Sequence, residues 1–304
     1  MSKPRIIVLG SGGRLGAALV REWRAAGEDV TGFARAELDL GDDERLRATL
    51  APLGFDVLVN CAALTNVDLC ETEPELAHRI NAHAVKTLAE IASTGGGRVI
   101  HVSTDYVFDG AKQTSYVEED AAEPISVYGA SKRAGEIALL EVSDKHLAVR
   151  VSWVFGPDRP SFIDGILKRA LEHDHAEAIA DKVAVPTYTL DAAHLLRPFL
   201  ADIPAGGLLH LCNGGACTWQ EYGQHAIDCA VAAGVPMKAR SVAPLKMADL
   251  KAFIARRPIY TAMSTEKLTR LSGVSPRSWE SAVEEYVRTH WAPRALGAGA
   301  PPPR

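Results

Sequence analysis

The sequence predicts an α/β fold: a doubly wound parallel sheet with a smaller C-terminal lobe. Two observations carry this. Short β-branched runs alternate with helix-length segments through the first half of the chain, and a glycine-rich turn links the first run to the first helix. Strands and helices alternating at this spacing pack as parallel strands with helices on both faces. Length agrees, since 304 residues at 47% hydrophobic can bury a core without disulfide or metal staples.

In order, residues 5–9, 29–33, 57–60, 98–102 and 146–151 read as buried parallel strands. Between them, 15–26, 42–50, 74–91 and 126–140 are each long enough for a crossover helix. After residue 156 the rhythm loosens around Pro160, Pro186, Pro198 and Pro204, and 208–211 looks like one more strand. Thr218 is placed to cap a helix running to Ala232, with Glu221 completing a capping box. The expected organisation is a first domain over 1–156, to which 182–212 partly returns, and a second lobe over 157–181 and 213–291. A flexible tail is expected over 292–304, rich in Ala, Gly and Pro.

Charge and cysteine usage exclude several classes. Lys plus Arg number 33 against 38 Asp plus Glu, a net charge of −5, which argues against nucleic acid as a partner. No apolar run is long enough to span a bilayer, and the start of the chain lacks a secretory signal. Five cysteines with no C-x-x-C pair argue for a reducing, cytoplasmic setting and against a zinc site. His173 and His175 read as a charged helix end rather than a metal pair, and no metal site is expected.

The glycine turn holds Gly10, Ser11, Gly13, Arg14, Leu15 and Gly16. Its glycine spacing lets backbone approach a pyrophosphate at a helix N-terminus, the signature of a Rossmann-like dinucleotide site. The second strand ends without the acid that holds a ribose 2′-hydroxyl. Arg35, with Arg14, is instead available to a 2′-phosphate, which favours NADPH and leaves NADH open.

Tyr128 and Lys132 stand one turn apart on a helix face. A phenol is a poor acid–base group at neutral pH unless its anion is stabilised, and a neighbouring ammonium can do that. Thr104, at the carboxyl end of the fourth strand, supplies a hydroxyl for a substrate oxygen. Glycine turn, strand-end threonine, then Tyr128 and Lys132 about two dozen residues later resemble the extended short-chain dehydrogenase/reductases. Within these, 60–68, 103–110 and 150–156 are similar to the dTDP-4-dehydrorhamnose reductase family, with weaker echoes at 186–188 and 256–258.

That resemblance implies reduction of the 4-keto group of a nucleotide-linked 6-deoxy sugar. It implies Tyr128 as proton donor, Lys132 lowering its pKa and holding the nicotinamide ribose, and Thr104 orienting the ketone. It further implies Thr65, Val67, Asp105, Tyr106 and Trp153 along the sugar, and Cys61, Ala62, Ala63 and Thr65 beside the cofactor. Asp39 and Leu40 would lie near the adenine. From its residue type, Cys61 reads as a small spacer rather than a nucleophile. The chain departs from the family pattern at Ser161–Phe162, at 182–184 (Lys, Val, Ala) and at 259–261 (Ile, Tyr, Thr), all in the substrate-binding half.

Two other readings stand beside the reductase. A nucleotide-sugar epimerase would keep its dinucleotide bound through turnover. A non-catalytic regulatory subunit would resemble the β subunit of methionine adenosyltransferase and act through a protein partner. A 4,6-dehydratase is disfavoured, because Asp105-Tyr106 stands where that chemistry wants Asp-Glu. A homodimer is left open.

Overall fold

The computed structural model describes residues 3–201, 203, 205–250 and 252–297. Five strands alternate with helices as the apolar runs require: β1 (Arg5–Leu9), β2 (Asp29–Phe33), β3 (Val57–Asn60), β4 (Arg98–Thr104) and β5 (Leu147–Val151). With the edge strand Gly207–His210 they form one six-stranded parallel sheet. Gly207–His210 lies beside β5; then follow β4, β3, β1 and β2. The order reverses next to β1, so the carboxyl ends of β1, β3 and β4 open onto the crevice where such sheets bind ligands.

The helices in chain order begin with α1 (Arg14–Ala25), α2 (Asp43–Leu50), α3 (Val67–Thr72), α4 (Pro74–His78) and α5 (Ala84–Thr94). They continue with α6 (Val127–Val142), α7 (Phe162–Glu172), α8 (Thr189–Leu196) and α9 (Trp219–Ala232). The expected helix at 74–91 is α4 and α5 joined through a π-helical turn, Arg79–His83. The sequence reading missed α3, whose N-cap Asn66 accepts the Leu69 N–H at 3.0 Å. The Thr218–Glu221 capping box forms as expected.

One apolar cluster lies under each face of the sheet. Part of 182–212 returns to it: Gly207–His210 joins its edge, and α8 packs on α1 through Ala192, Ala193 and Leu196. Residues 183–184 instead pair with Cys217–Thr218. A separate cluster joins α7 and α9 through Ile163, Leu167, Tyr222 and Ala226. Within the tail, Ala292–Ala295 forms a helical turn whose Ala292 is buried on that cluster, so these residues are anchored, where looseness was expected. Residues 298–304 lie outside the described residues.

Candidate active site

A cleft of about 810 Å³ runs along the carboxyl ends of the strands, between the sheet and the second lobe. Its floor begins at the glycine turn. Gly10 takes a positive φ of +77°, and a Cβ there would strike the backbone of Ala62. Gly16 lies so close to the Gly10 carbonyl that any side chain would push α1 off β1. Gly13 caps α1 with no side chain to accept the first-turn N–H groups, which leaves them to a ligand.

The cleft gathers Gly10, Gly13, Arg14, Leu15, Arg35, Asp39, Leu40, Cys61, Ala62, Ala63, Thr65, Val67, Thr104, Asp105, Tyr106, Tyr128, Lys132 and Trp153. Two residues expected at the cofactor do not line it. Gly16 serves the helix–strand contact, and Ser11 packs toward Gly32. Sequence reasoning missed Ser103, Ser152 and Arg159 on its wall. Position at a strand end was the signal available for the two serines.

Arg14 departs from its expected role. Its Nε donates to the Arg159 carbonyl at 3.2 Å and its Nη2 to the Pro160 carbonyl, tying the glycine turn to the second lobe. Arg35 stays in the open, 77% exposed, with Nε 3.1 Å from Asp39 Oδ2. The Gly41 N–H and then Arg35 hold the Asp39 carboxyl below its usual range.

At the other end, Gly129 brings α6 against the Tyr106 carbonyl with no room for a Cβ, which sets Tyr128 beside Thr104. Ser126 caps the helix, accepting from Gly129 N–H at 3.3 Å. Tyr128 is buried beside Thr104; burial pushes its phenol up, and the Thr104 hydroxyl opposes that rise. The lowering expected from Lys132 is not realised in this geometry. Lys132 Nζ instead donates to the Val102 carbonyl at 2.7 Å and lies 3.0 Å from His101 Nε2. Burial brings Lys132 down to about 8. The Cys61 thiol is half-buried in the cleft wall, and loss of solvent pushes it up to about 12, which disfavours its thiolate near neutrality.

The sugar end is built from distant parts of the chain. Asp105 Oδ2 accepts from Thr261 Oγ1 at 2.5 Å, and Oδ1 accepts from Thr104 Oγ1 at 3.1 Å. Burial raises the Asp105 pKa, and Lys182 opposes that rise. Lys182 is fully buried, donates to the Pro258 carbonyl, and holds Nζ 4.8 Å from the Tyr106 ring centre. Two of the departures from the family pattern, Lys182 and Thr261, thus meet around Asp105. Arg257 binds Asp68 of α3 at 2.9 Å, and the Ile254 and Ala255 N–H groups donate to the same carboxylate, tying the 254–257 segment to α3. Trp153 has a φ of +41°, a strained conformation for a bulky residue, and turns its ring onto Trp219 and Tyr222 while lining the cleft.

Among the described residues no helix is long and apolar enough to cross a membrane, and no group of three or more His, Cys, Asp or Glu is placed to hold a metal.

The chain matches the family model described as RmlD substrate binding domain over residues 4–291. A dTDP-4-dehydrorhamnose reductase of Salmonella typhimurium is 34% identical over 291 residues, covering 93% of this chain and 96% of that protein. A spore coat polysaccharide biosynthesis protein, SpsK of Bacillus subtilis, is 30% identical, covering 93% of this chain and 97% of that protein. In structure, the dTDP-4-dehydrorhamnose reductase of Bacillus anthracis in complex with NADP superposes with a TM-score of 0.87 at 30% identity, covering 94% of this chain and 99% of that chain.

Proposed function

Because the chain belongs to the RmlD substrate binding domain family, we propose that it reduces the 4-keto group of a nucleotide-linked 6-deoxy sugar, dTDP-4-dehydro-L-rhamnose first among candidates, with NADPH as the preferred donor. The observation that carries this reading is Thr104, Tyr128 and Lys132 converging at one end of a cleft whose other end is an uncapped, glycine-lined helix N-terminus. A dinucleotide fits the residues present, since the Gly10–Gly13 turn leaves backbone where side chains would block it. The nicotinamide, when bound, supplies the hydride.

The chain's own residues do the rest. Thr104 Oγ1 and the Tyr128 hydroxyl take hold of the ketone oxygen, polarising the carbonyl before transfer. The Tyr128 O–H gives its proton to the alkoxide oxygen as charge develops there. The single Thr104 O–H is engaged with the alkoxide oxygen, so the phenolate left behind depends on Lys132 for its stabilisation. Lys132, released from Val102, adds its positive charge beside the phenolate and holds the nicotinamide ribose. Asp105, Tyr106, Val67 and Trp153 shape the sugar pocket. Arg35 and Asp39 flank the adenosine ribose.

Tyr128→Phe removes the transferred proton and leaves the packing. It should cost ~10²–10⁴ in kcat while the NADPH Kd stays within about twofold. Wild-type turnover in that variant, measured by loss of nicotinamide absorbance, would refute Tyr128 as the acid.

A further inference from the structure

Lys132 carries a hydrogen-bond problem that its proposed role leaves unsolved. The Ala62 N–H donates to Asn60 Oδ1 at 3.0 Å, which fixes the buried Asn60 amide. Its Nδ2 then faces His101 Nδ1 at 3.1 Å. An amide N–H₂ group only donates, so Nδ1 must accept, and a neutral imidazole then carries its single proton on Nε2. His101 is fully buried, and burial together with the Lys132 charge holds its pKa well below the ordinary value, so the ring is neutral. Its Nε2–H therefore points at Lys132 Nζ, 3.0 Å away. An ammonium at Nζ would place two donors head to head. An amine offers the lone pair that this geometry requires and still donates an N–H to the Val102 carbonyl at 2.7 Å.

We infer that His101, fixed as the Nε2–H tautomer by Asn60, is a positioning residue that stores Lys132 as a neutral amine in the free protein, so that cofactor binding draws Lys132 away and takes up one proton. The uptake balances as one proton from solvent and one lone pair on Nζ, with no other bond changed. This rests on the reading above for the place of the nicotinamide ribose.

The groups facing Lys132 are consistent with a poised amine. Cys61 at the end of β3 is un-ionised. Glu136, one turn along α6, favours the ammonium, but its carboxylate is already committed to Arg150 of β5 at 2.8 Å, Ser103 of β4 at 2.6 Å and Arg133 at 2.9 Å. Tyr128, one turn back, is protonated. The amine thus has no anion of its own until the ribose or a phenolate arrives.

The test has a part that needs no cofactor. The ring ¹⁵N shifts of His101 in the free protein, assigned by their loss in His101→Gln, should report the Nε2–H tautomer at about pH 9, above the value near 8 to which burial brings Lys132. Asn60→Asp replaces the donor facing Nδ1 with an acceptor while still serving the Ala62 N–H, and should swap the ring to Nδ1–H. If that variant does not fold, the wild-type shifts decide alone; an Nδ1–H ring in the wild type overturns the inference. Calorimetry of NADPH binding at about pH 9, in buffers of different ionisation enthalpy, should give an uptake approaching one proton, lost in Asn60→Asp. Binding without uptake overturns the cofactor-linked step. Absence of NADPH binding would instead count against the proposed cofactor, with the shifts still deciding the state of His101.

Discussion

Asp105 and Thr261, 156 positions apart in sequence, share a 2.5 Å hydrogen bond at the sugar end of the cleft. The same carboxylate accepts from Thr104, which stands beside Tyr128, so two hydrogen bonds carry the second lobe to the neighbour of the proposed proton donor. Burial raises the Asp105 pKa, and the Lys182 ammonium is the first of several neighbours, Thr261 and Thr104 among them, that oppose the rise.

Lys182→Met therefore has a predictable sign. Burial raises the Asp105 pKa and Lys182 lowers it. Removing the cation moves the pKa further up, so Asp105 gains a proton at a higher pH than in the wild type. The acid limb of kcat/KM should shift toward neutrality, with activity at high pH nearly kept. An unmoved acid limb would show that Lys182 does not govern the charge at Asp105.

Cofactor preference turns on Arg35. Its guanidinium is exposed and paired only at the surface with Asp39, so a 2′-phosphate can recruit it without breaking the core. Arg35→Ala should raise the KM for NADPH about tenfold, the cost of one charge-assisted contact at a wet site, and leave the KM for NADH nearly unchanged. Equal changes for both cofactors would remove Arg35 from 2′-phosphate recognition.

Stability of the site's scaffold depends on Glu136. Both its oxygens are used, by Arg150, Ser103 and Arg133, and both Glu136 and Arg150 are fully buried. Glu136→Ala leaves the Arg150 charge buried without its carboxylate, at a cost of about 3–5 kcal/mol in chemical denaturation. A loss below ~1 kcal/mol would mean that Arg150 finds another acceptor.

The sheet was legible because its signals are local. The run at β1 lies between Pro4 and Gly10, those at β2 and β3 follow Gly27 and Gly54, and the glycine turn announces where α1 begins. Tyr128, Lys132 and Thr104 were legible as a pattern of type and spacing, and the fold brings them to one cleft. What lay hidden was long-range. Nothing near Thr261 announces Asp105, and nothing near Arg257 announces Asp68 of α3. Arg14 sits in the glycine turn as a free arginine would, yet its acceptors are carbonyls from residues 159 and 160. His101 looks like any polar residue in a buried strand until Asn60 and Lys132 are found on its two nitrogens.

The central claim is reduction of a keto sugar at Thr104 and Tyr128. Its most direct test mixes the purified protein with dTDP-4-dehydro-6-deoxy-L-mannose and either NADPH or NADH, following nicotinamide absorbance. Rapid, stoichiometric oxidation, faster with NADPH at low cofactor concentration and yielding the 4-hydroxy sugar, is the predicted result. Tight NADPH binding with no oxidation of the cofactor would contradict the proposed substrate and point to another keto sugar or to a role through a protein partner.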